Sequence, residues 1–401
     1  MTNNQLVELS AKYGSAFYLL DTAQFKKNFS ELKSAFASIY PNTNIAYSYK
    51  TNYIPALCKI VDELGGLAEV VSDMELNIAR RVGVRSNNII WNGPYKNPQE
   101  FENLLVEGGQ VNLDSFYETE LLKTVAKNHP DKTLNVGVRV NFAINDNTVS
   151  RFGFDVESKE FFDTLSTINQ LDNVSLSGIQ CHYATRRLET WRPRAEKMLE
   201  LLDRIGIVPP RIDLGGGLYG KIHESLKKQF DAYIPTYQEY AESVAPLFAQ
   251  KFGSMPNPPL LLIEPGSALV GDCMSFVAKV VSIKNIRGQY FATLLGSSHN
   301  INISGKNPPF TVYPLANKRI EYSNLNFVGY TCIESDVLYR GFNGLLGVGD
   351  FVEFANAGSY SVVLKPPFIL PNFPVLDISG DNPALIKRQE CFDDIFRTYS
   401  F

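Results

Sequence analysis

Eight short apolar runs alternate with helix-patterned segments between Ile45 and Ile263, and no other feature of this sequence restricts its fold as much. The runs are Ile45–Tyr49, Leu67–Val71, Asn88–Trp91, Gln110–Leu113, Leu134–Val140, Leu176–Cys181, Arg211–Leu214 and Leu260–Ile263. Several segments between them open with helix-start chemistry. Ser72-Asp73-Met74-Glu75 and Ser115-Phe116-Tyr117-Glu118 fit the S-x-x-E capping box, and Asn97-Pro98 puts a capping side chain before a proline at the first helical position. Helical runs are also expected over 158–169, 190–206 and 233–251. This alternation predicts an α/β fold, a (β/α)8 barrel of the TIM type, with a doubly wound open sheet as its rival. The strand ends favour the barrel, whose chemistry gathers at the carboxyl ends of its strands. At or just after those ends stand Lys50, Glu69, Gly93, Asp114, Arg139 with Asn141, His182, Gly215-Gly216-Gly217 and Glu264.

Beyond about residue 270 the pattern changes. Phe276–Leu295, Arg319–Tyr339 and Asp350–Leu364 are rich in Val, Ile, Phe and Tyr, and turn residues such as Arg287-Gly288 and Gly349-Asp350 punctuate them. They predict a C-terminal all-β domain. The expected organisation is a barrel over 23–268 and a β-sandwich or β-barrel domain over 269–401, joined by an N-terminal strand within 1–22.

The formal charge of -4 gives no reason to expect nucleic acid or an acidic membrane as partner. No apolar run approaches the ~18 residues of a membrane span, and the first ten residues lack the apolar core of a signal peptide. The five cysteines are scattered without a C-x-x-C pair, which reads as reduced thiols in cytoplasm with no metal site.

Three of the strand-end groups form a chemical set. A lysine leaving a buried strand is partly desolvated, which favours the neutral amine that forms a Schiff base. Lys50 stands in that place, although a surface lysine after a strand is the plainer reading. Three consecutive glycines let backbone N–H groups converge on an anion, and the loops after strands seven and eight are common phosphate sites in this barrel. Glu264 can hold a protonated ring nitrogen or take part in a structural ion pair. His182 can stack on a planar ring or sit satisfied in the core. Lysine, glycine turn and carboxylate together suit pyridoxal 5′-phosphate.

In their order and spacing these residues resemble the fold-type III pyridoxal-phosphate-dependent decarboxylases, the group of diaminopimelate, ornithine and arginine decarboxylases. The resemblance rests on Tyr49-Lys50-Thr51-Asn52, on Glu69-Val70-Val71-Ser72 with Glu75-Leu76, and on Arg139-Val140-Asn141 with Ser150-Arg151-Phe152-Gly153. It continues through Cys181-His182-Tyr183-Ala184-Thr185, Asp213-Leu214-Gly215-Gly216-Gly217, Glu264-Pro265-Gly266, Cys332 with Asp336, and Ala357-Gly358-Ser359-Tyr360. It implies an alanine-racemase-like two-domain architecture. It also implies Lys50 as the residue that bonds the cofactor, Glu264 at its ring nitrogen and His182 on its ring face. Gly215, Gly216, Gly217, Thr185 and Tyr360 are implied at its phosphate, with Glu69 and Arg139 nearby. Cys332 is implied as the acid that returns a proton after carbon dioxide leaves the external aldimine. In this family that cysteine comes from a second subunit, so a head-to-tail homodimer with shared sites is implied, acting on a small amino-acid-like substrate.

Four departures bear on the substrate. Ser267 follows Glu264-Pro265-Gly266, where the family has a phosphate-binding arginine. Ile333 follows Cys332, where an acid is usual. Asn300 stands where aspartates are frequent, and Asn307-Pro308-Pro309-Phe310-Thr311 replaces the Arg-Pro-Ala-Leu-Tyr segment of diaminopimelate decarboxylases. Asn300, Ile333 and Asp336 are the substrate-side candidates. The departures predict a decarboxylase of a specialised pathway, such as siderophore or amine biosynthesis. Diaminopimelate or carboxynorspermidine decarboxylation is the alternative, and a racemase or a catalytically inactive homologue is the alternative of another class.

Overall fold

The computed structural model describes residues 1–144, 146, 149–302 and 305–400. The chain divides into two compact units: Asn28–Tyr219 with Tyr233–Ala268, and Met1–Lys27 with Gly220–Ala232 and Leu269–Phe401. The segment Gly220–Ala232, expected within the barrel, groups with the second unit. There the Gln229 side chain bonds both the N–H and the C=O of Asn307.

Strand β1 (Ala16–Leu20) belongs to the second unit. The first unit contains β2 (Thr43–Ser48), β3 (Leu67–Val70), β4 (Ile89–Trp91), β5 (Gln110–Leu113), β6 (Leu134–Asn141) with the short β7 (Phe154–Asp155) beside it, β8 (Val174–Gln180), β9 (Arg211–Asp213) and β10 (Leu260–Ile263). Parallel pairing runs β2-β3-β4-β5-β6-β8-β9-β10, and β10 returns to β2. The eight-stranded barrel is therefore closed, which excludes the open sheet.

Side chains alternate across a strand, so residues two apart share a face. The pairings put Ala46, Leu67, Ile90, Gln110, Gly137, Gly178, Arg211 and Leu262 on the inner face in one layer. Ala46, Leu67, Ile90 and Leu262 form an apolar cluster, in which each large side chain contributes about 1.5–3 kcal/mol by burial. Two residues further on, toward the carboxyl ends, the same face carries Ser48, Glu69, Asn92, Asn112, Arg139, Gln180, Asp213 and Glu264. All of these are buried. An apolar layer here would stabilise the fold, whereas each buried polar group costs about 1–3 kcal/mol if left unpaired. A ring that is polar on every strand serves something other than stability.

Most expected helix starts form. Asn97 Oδ1 accepts from the N–H groups of Gln99 and Glu100. Ser72 Oγ accepts from Glu75 N–H, but the Glu75 carboxylate reaches one residue further back, to Val71 N–H at 2.8 Å. The expected box at Ser115 is not made. Its carboxylate, Glu118, is drawn instead to the buried ammonium of Lys96 at 2.9 Å and to Asp114 N–H at 2.7 Å. A charged partner outside the helix outbids a local neutral one.

The second unit is built on a nine-stranded mixed sheet. Its long strand β11 (Met274–Ile286) pairs with β1 on one edge. Further along that same edge it pairs with β12 (Gln289–Leu294), and on the other edge, after β13 (Phe310–Tyr313), β14 (Ile320–Val328) and β15 (Val337–Leu346), it pairs with β16 (Phe351–Phe354). Strands β17 (Val375–Asp377) and β18 (Ala384–Lys387) extend the sheet beyond β1. The N-terminal segment is not one strand as expected: helix Asn3–Tyr13 precedes β1, closed by a reciprocal Thr2–Gln5 capping box. Its Leu6 and Leu9 pack on Phe17, Leu19, Val277 and Phe351. Ser361–Leu364, read as β, is a single helical turn.

Candidate active site

Strand β2 ends at Ser48, and a 3₁₀ turn, Tyr49–Thr51, carries Lys50. The turn is held by Tyr47 Oη, which donates to Asn52 C=O at 2.8 Å, and by Asn52 Oδ1, which accepts from Ile54 N–H at 3.2 Å. It directs the Lys50 ammonium to Glu69 Oε2 at 2.6 Å. Ser48 Oγ donates to the same oxygen at 2.5 Å. Burial pushes the Glu69 carboxyl up, but Lys50 and the donors from Ser48 and Asn92 outweigh it and hold the group below the ordinary carboxylate range.

Glu264, one residue past β10, is reached by Asn92 Nδ2 at 2.5 Å and by Gln180 Nε2 at 3.2 Å. Asn92 also donates to Glu69 Oε1 at 3.1 Å, so one amide joins the two carboxylates. Burial, reinforced by the charge of Glu69, pushes Glu264 up to about 7. Asp213 Oδ1 accepts from Gly215 N–H at 2.8 Å. Burial and Glu264 raise its carboxyl well above the ordinary range.

His182 Nδ1 accepts from Gly216 N–H at 2.9 Å, which places the proton of the neutral ring on Nε2. Nδ1 also lies 3.7 Å from Glu264 Oε2, but a nitrogen that is accepting cannot donate to that carboxylate. Burial, with the charges of Lys50, Arg139 and Arg194, depresses the imidazole well below its ordinary value. His182 is a neutral, flat group at the mouth of the barrel.

The glycine turn differs from its expected form. The N–H groups of Gly215 and Gly216 are spent on Asp213 and His182, which leaves only Gly217 N–H, among the described residues, without an acceptor. These glycines are required by close packing. A Cβ on Gly217, whose φ is +86°, would lie 2.6 Å from Tyr183 O and 2.7 Å from Thr185 O. Arg194, fully buried, fastens the turn by donating to Leu214 C=O at 2.9 Å and Gly216 C=O at 2.7 Å. Beside the turn, Arg186 reaches from the loop after β8 to Ser267 Oγ at 3.4 Å, and among the described residues it has no carboxylate partner. It lies 5.5 Å from the Tyr219 ring centroid. Ser267 lacks a charge of its own, and this arginine brings one to it. A neutral histidine face, an ordered lysine, buried carboxylates, a free N–H and an uncompensated guanidinium fit a planar carbonyl compound that bears a phosphate.

Lys50, Glu69, Arg139, His182 and Glu264 thus come together at the carboxyl ends of the strands. Arg139 lies 3.5 Å from Asp114 and 4.7 Å from the Phe152 ring. Sequence reasoning passed over Ser48, Asn92, Asn112, Gln180 and Arg194. The first four carry a signal, since each stands two residues past an inner-facing position of its strand.

Cys332, Ile333, Asp336, Asn300 and Tyr360 lie in the second unit. Cys332 and Ile333 are exposed. Asp336 is not a free substrate acid: it is buried and accepts from the hydroxyls of Ser297, Ser298 and Thr331 and from Ser298 N–H. Asn300 is consumed in the same way, accepting from Ser297 N–H and donating to Tyr18 Oη. Asn307 is tied through its amide to both backbone groups of Arg340. Tyr360 has a positive φ of 57° and its C=O accepts from Asn302.

Residues 22–271 match the family model described as pyridoxal-dependent decarboxylase, pyridoxal binding domain. A diaminopimelate decarboxylase of Archaeoglobus fulgidus is 24% identical over a 418-residue alignment, which covers 98% of this chain and 94% of that protein. One from Bacillus methanolicus is 27% identical over 352 residues, with 83% and 80% covered. The crystal structure of diaminopimelate decarboxylase from M. jannaschii shares the fold, with a TM-score of 0.87 at 24% identity and coverage of 98% of this chain and 94% of that one.

Proposed function

This chain belongs to the pyridoxal-dependent decarboxylase family, and from that premise we propose that it decarboxylates diaminopimelate or a close analogue. As a member it is a carboxy-lyase whose cofactor is pyridoxal 5′-phosphate. The cofactor, when bound, supplies an electron sink for the pair left behind as carbon dioxide departs. Lys50 is the residue that holds it covalently. The ordered pair of Lys50 and Glu69, with Glu264 joined to it through the Asn92 amide, is the observation that carries this reading. Glu264 offers a carboxylate to a protonated ring nitrogen. The neutral ring of His182 offers a face for stacking without adding a charge. Gly217 N–H, Thr185 and Arg186 are the barrel-side groups for the phosphate.

The substrate assignment draws on relatives named diaminopimelate decarboxylase that align along nearly the whole chain. Against it stood the uncharged Asn300, Asn307 and Ile333. The side chains of Asn300 and Asn307 are engaged in holding the second unit together, so their lack of charge bears little on a substrate. Ile333, exposed beside Cys332, is the one feature that favours another carboxylated amino acid, such as a precursor of a specialised amine. Carbon dioxide release from meso-diaminopimelate, ornithine, lysine and arginine separates the readings. The expected result is a kcat/KM for meso-diaminopimelate more than tenfold above the rest. Turnover confined to any other compound would overturn the assignment. Borohydride reduction of the holoenzyme should leave the pyridoxyl group on the Lys50 peptide.

A further inference from the structure

The inner face of the barrel carries a line of hydrogen bonds that runs to Asn92 from Arg211, and the proposed chemistry uses only its last member. Arg211 Nη1 donates to Gln110 Oε1 at 3.0 Å. Gln110 Nε2 donates to Asn112 Oδ1 at 2.8 Å, and Asn112 Nδ2 donates to Asn92 Oδ1 at 2.7 Å. Asn92 Nδ2 then donates to Glu264 at 2.5 Å and to Glu69 at 3.1 Å. Gln110, Asn112 and Asn92 are each at least 98% buried. Ser177 Oγ gives Gln110 Oε1 a second donor at 3.2 Å.

The line has a direction. An amide has one accepting and one donating end, and nothing in its shape says which way round it sits. Here the two termini decide. A guanidinium can only donate, and the carboxylate of Glu69, held ionised beside Lys50, can only accept. If one amide in between turned over, two oxygens or two NH2 groups would face each other in a dry interior, at the cost of unpaired buried groups. Room for the line is left by glycine on neighbouring strands. A Cβ on Gly178 would stand 2.8 Å from Gln110 Nε2, and one on Gly137 would run into the Asn112 side chain.

We propose that Arg211, at the amino end of β9, is a positioning residue that acts through Gln110, Asn112 and Asn92 to keep a hydrogen-bond donor turned toward Glu264 and Glu69. The inference rests on the reading of this ring as the cofactor site. A donor there favours the charged forms of both carboxylates, against the burial that opposes them. Lys50, Glu69, His182, Asp213 and Arg139 also face Glu264, and they act on it in every variant alike.

Gln110→Glu is the sharpest test, because it keeps the contact with Arg211 and reverses everything beyond it. A glutamate at 110 accepts from Arg211 but has no donor for Asn112. Asn112 and Asn92 must then turn over, and an oxygen meets the carboxylates. The readout is the pH midpoint at which the absorbance of the bound cofactor changes in purified holoenzyme. Gln110→Glu should move that midpoint upward by about one pH unit, the worth of one hydrogen bond to a charged group, and Arg211→Met should move it the same way by less, because Ser177 Oγ still donates to Gln110 Oε1. Arg211→Lys, still a pure donor, should return it to the wild-type position. A simple loss of packing would not distinguish lysine from methionine in this way. Midpoints unchanged in Gln110→Glu and Arg211→Met, with the label still on Lys50, would overturn the role of the line. Failure of the wild-type protein to take the label on Lys50 would overturn the reading of the site, and this inference with it.

Discussion

The ammonium of Lys50 stands 2.6 Å from a carboxylate oxygen of Glu69, which is 99% buried on the adjacent strand. The pair is lopsided, because the lysine side chain is 30% exposed. Without the lysine, Glu69 keeps its burial and loses the charge that balances it. In cofactor-free protein, Lys50→Ala should therefore lower unfolding stability by about 1–3 kcal/mol near neutral pH, less than a fully buried pair because water screens the exposed side. The sign of the pH dependence follows from Glu69. Its folded-state value is depressed, so its contribution is present above the ordinary carboxylate range and is lost as pH falls through the folded value. The gap between wild type and Lys50→Ala in urea titrations should close in acid. A gap that stays constant down to about pH 3 would mean the loss is one of packing.

Glu75 titrates the other way. Buried at the start of its helix, it is pushed up from 4.5 to about 7 by burial, with the charge of Glu69 adding to the rise. A raised acid contributes stability in full below its unfolded value and loses it as pH climbs through the folded one. Glu75→Gln keeps an acceptor for Val71 N–H and removes the charge. It should match wild type at about pH 4.5 and exceed it above about pH 8, by at most about 3 kcal/mol. Equal stability of the two proteins across that range would show that Glu75 is solvated in solution.

Lys50, His182 and Glu264 were legible in the sequence because each is a chemically capable group directly after an apolar run, and Glu69 because a carboxylate inside such a run stands out. Asn92, Asn112 and Gln180 were not. A polar residue within or beside an apolar run reads as an interruption, and only closure of β10 on β2 turns one such residue from every strand onto a common ring. The glycine turn was legible in place but not in function. Which N–H groups stay free depends on where Asp213 and His182 point, and those directions come from the loop's packing. At Ser115 the local pattern was right for a capping box, yet Lys96, far from it in sequence, captured Glu118. Asn300 and Asp336 were placed by motif alone, and a motif does not reveal that a side chain's bonds are already spent.

Arg186 bears directly on the missing arginine at Ser267. Its guanidinium lies 3.4 Å from Ser267 Oγ, so the charge expected on one loop arrives from another. Arg186→Ala should weaken pyridoxal 5′-phosphate binding to the apo-protein about tenfold or more, the worth of one hydrogen bond to a charged group. Binding of pyridoxal without its phosphate should hardly change. Ser267→Arg added to Arg186→Ala should restore affinity for the phosphorylated form. Fluorescence titration of both compounds against the three proteins checks this. An equal loss for both compounds would place Arg186 away from the phosphate.

The family's shared active site leads to a prediction about Cys332, whose thiol is exposed in the single chain. If a second copy supplies it, Lys50→Ala and Cys332→Ala homodimers should each be nearly inactive, for different reasons. The first lacks the amine that bonds the cofactor. The second binds cofactor normally but lacks the acid that returns a proton. Mixing them under conditions that exchange subunits creates heterodimers in which one site carries both substitutions and the other carries neither. Statistical exchange makes half of the dimers mixed, and each has one intact site, so the mixture should recover about a quarter of wild-type activity, provided sites act independently. Cofactor absorbance should track the Lys50-bearing chains alone. Exchange demonstrated by mass spectrometry without any recovery would show that Cys332 and Lys50 must belong to the same chain, or that Cys332 is not the proton donor. Wild-type rates in the Cys332→Ala homodimer would single out the second of these.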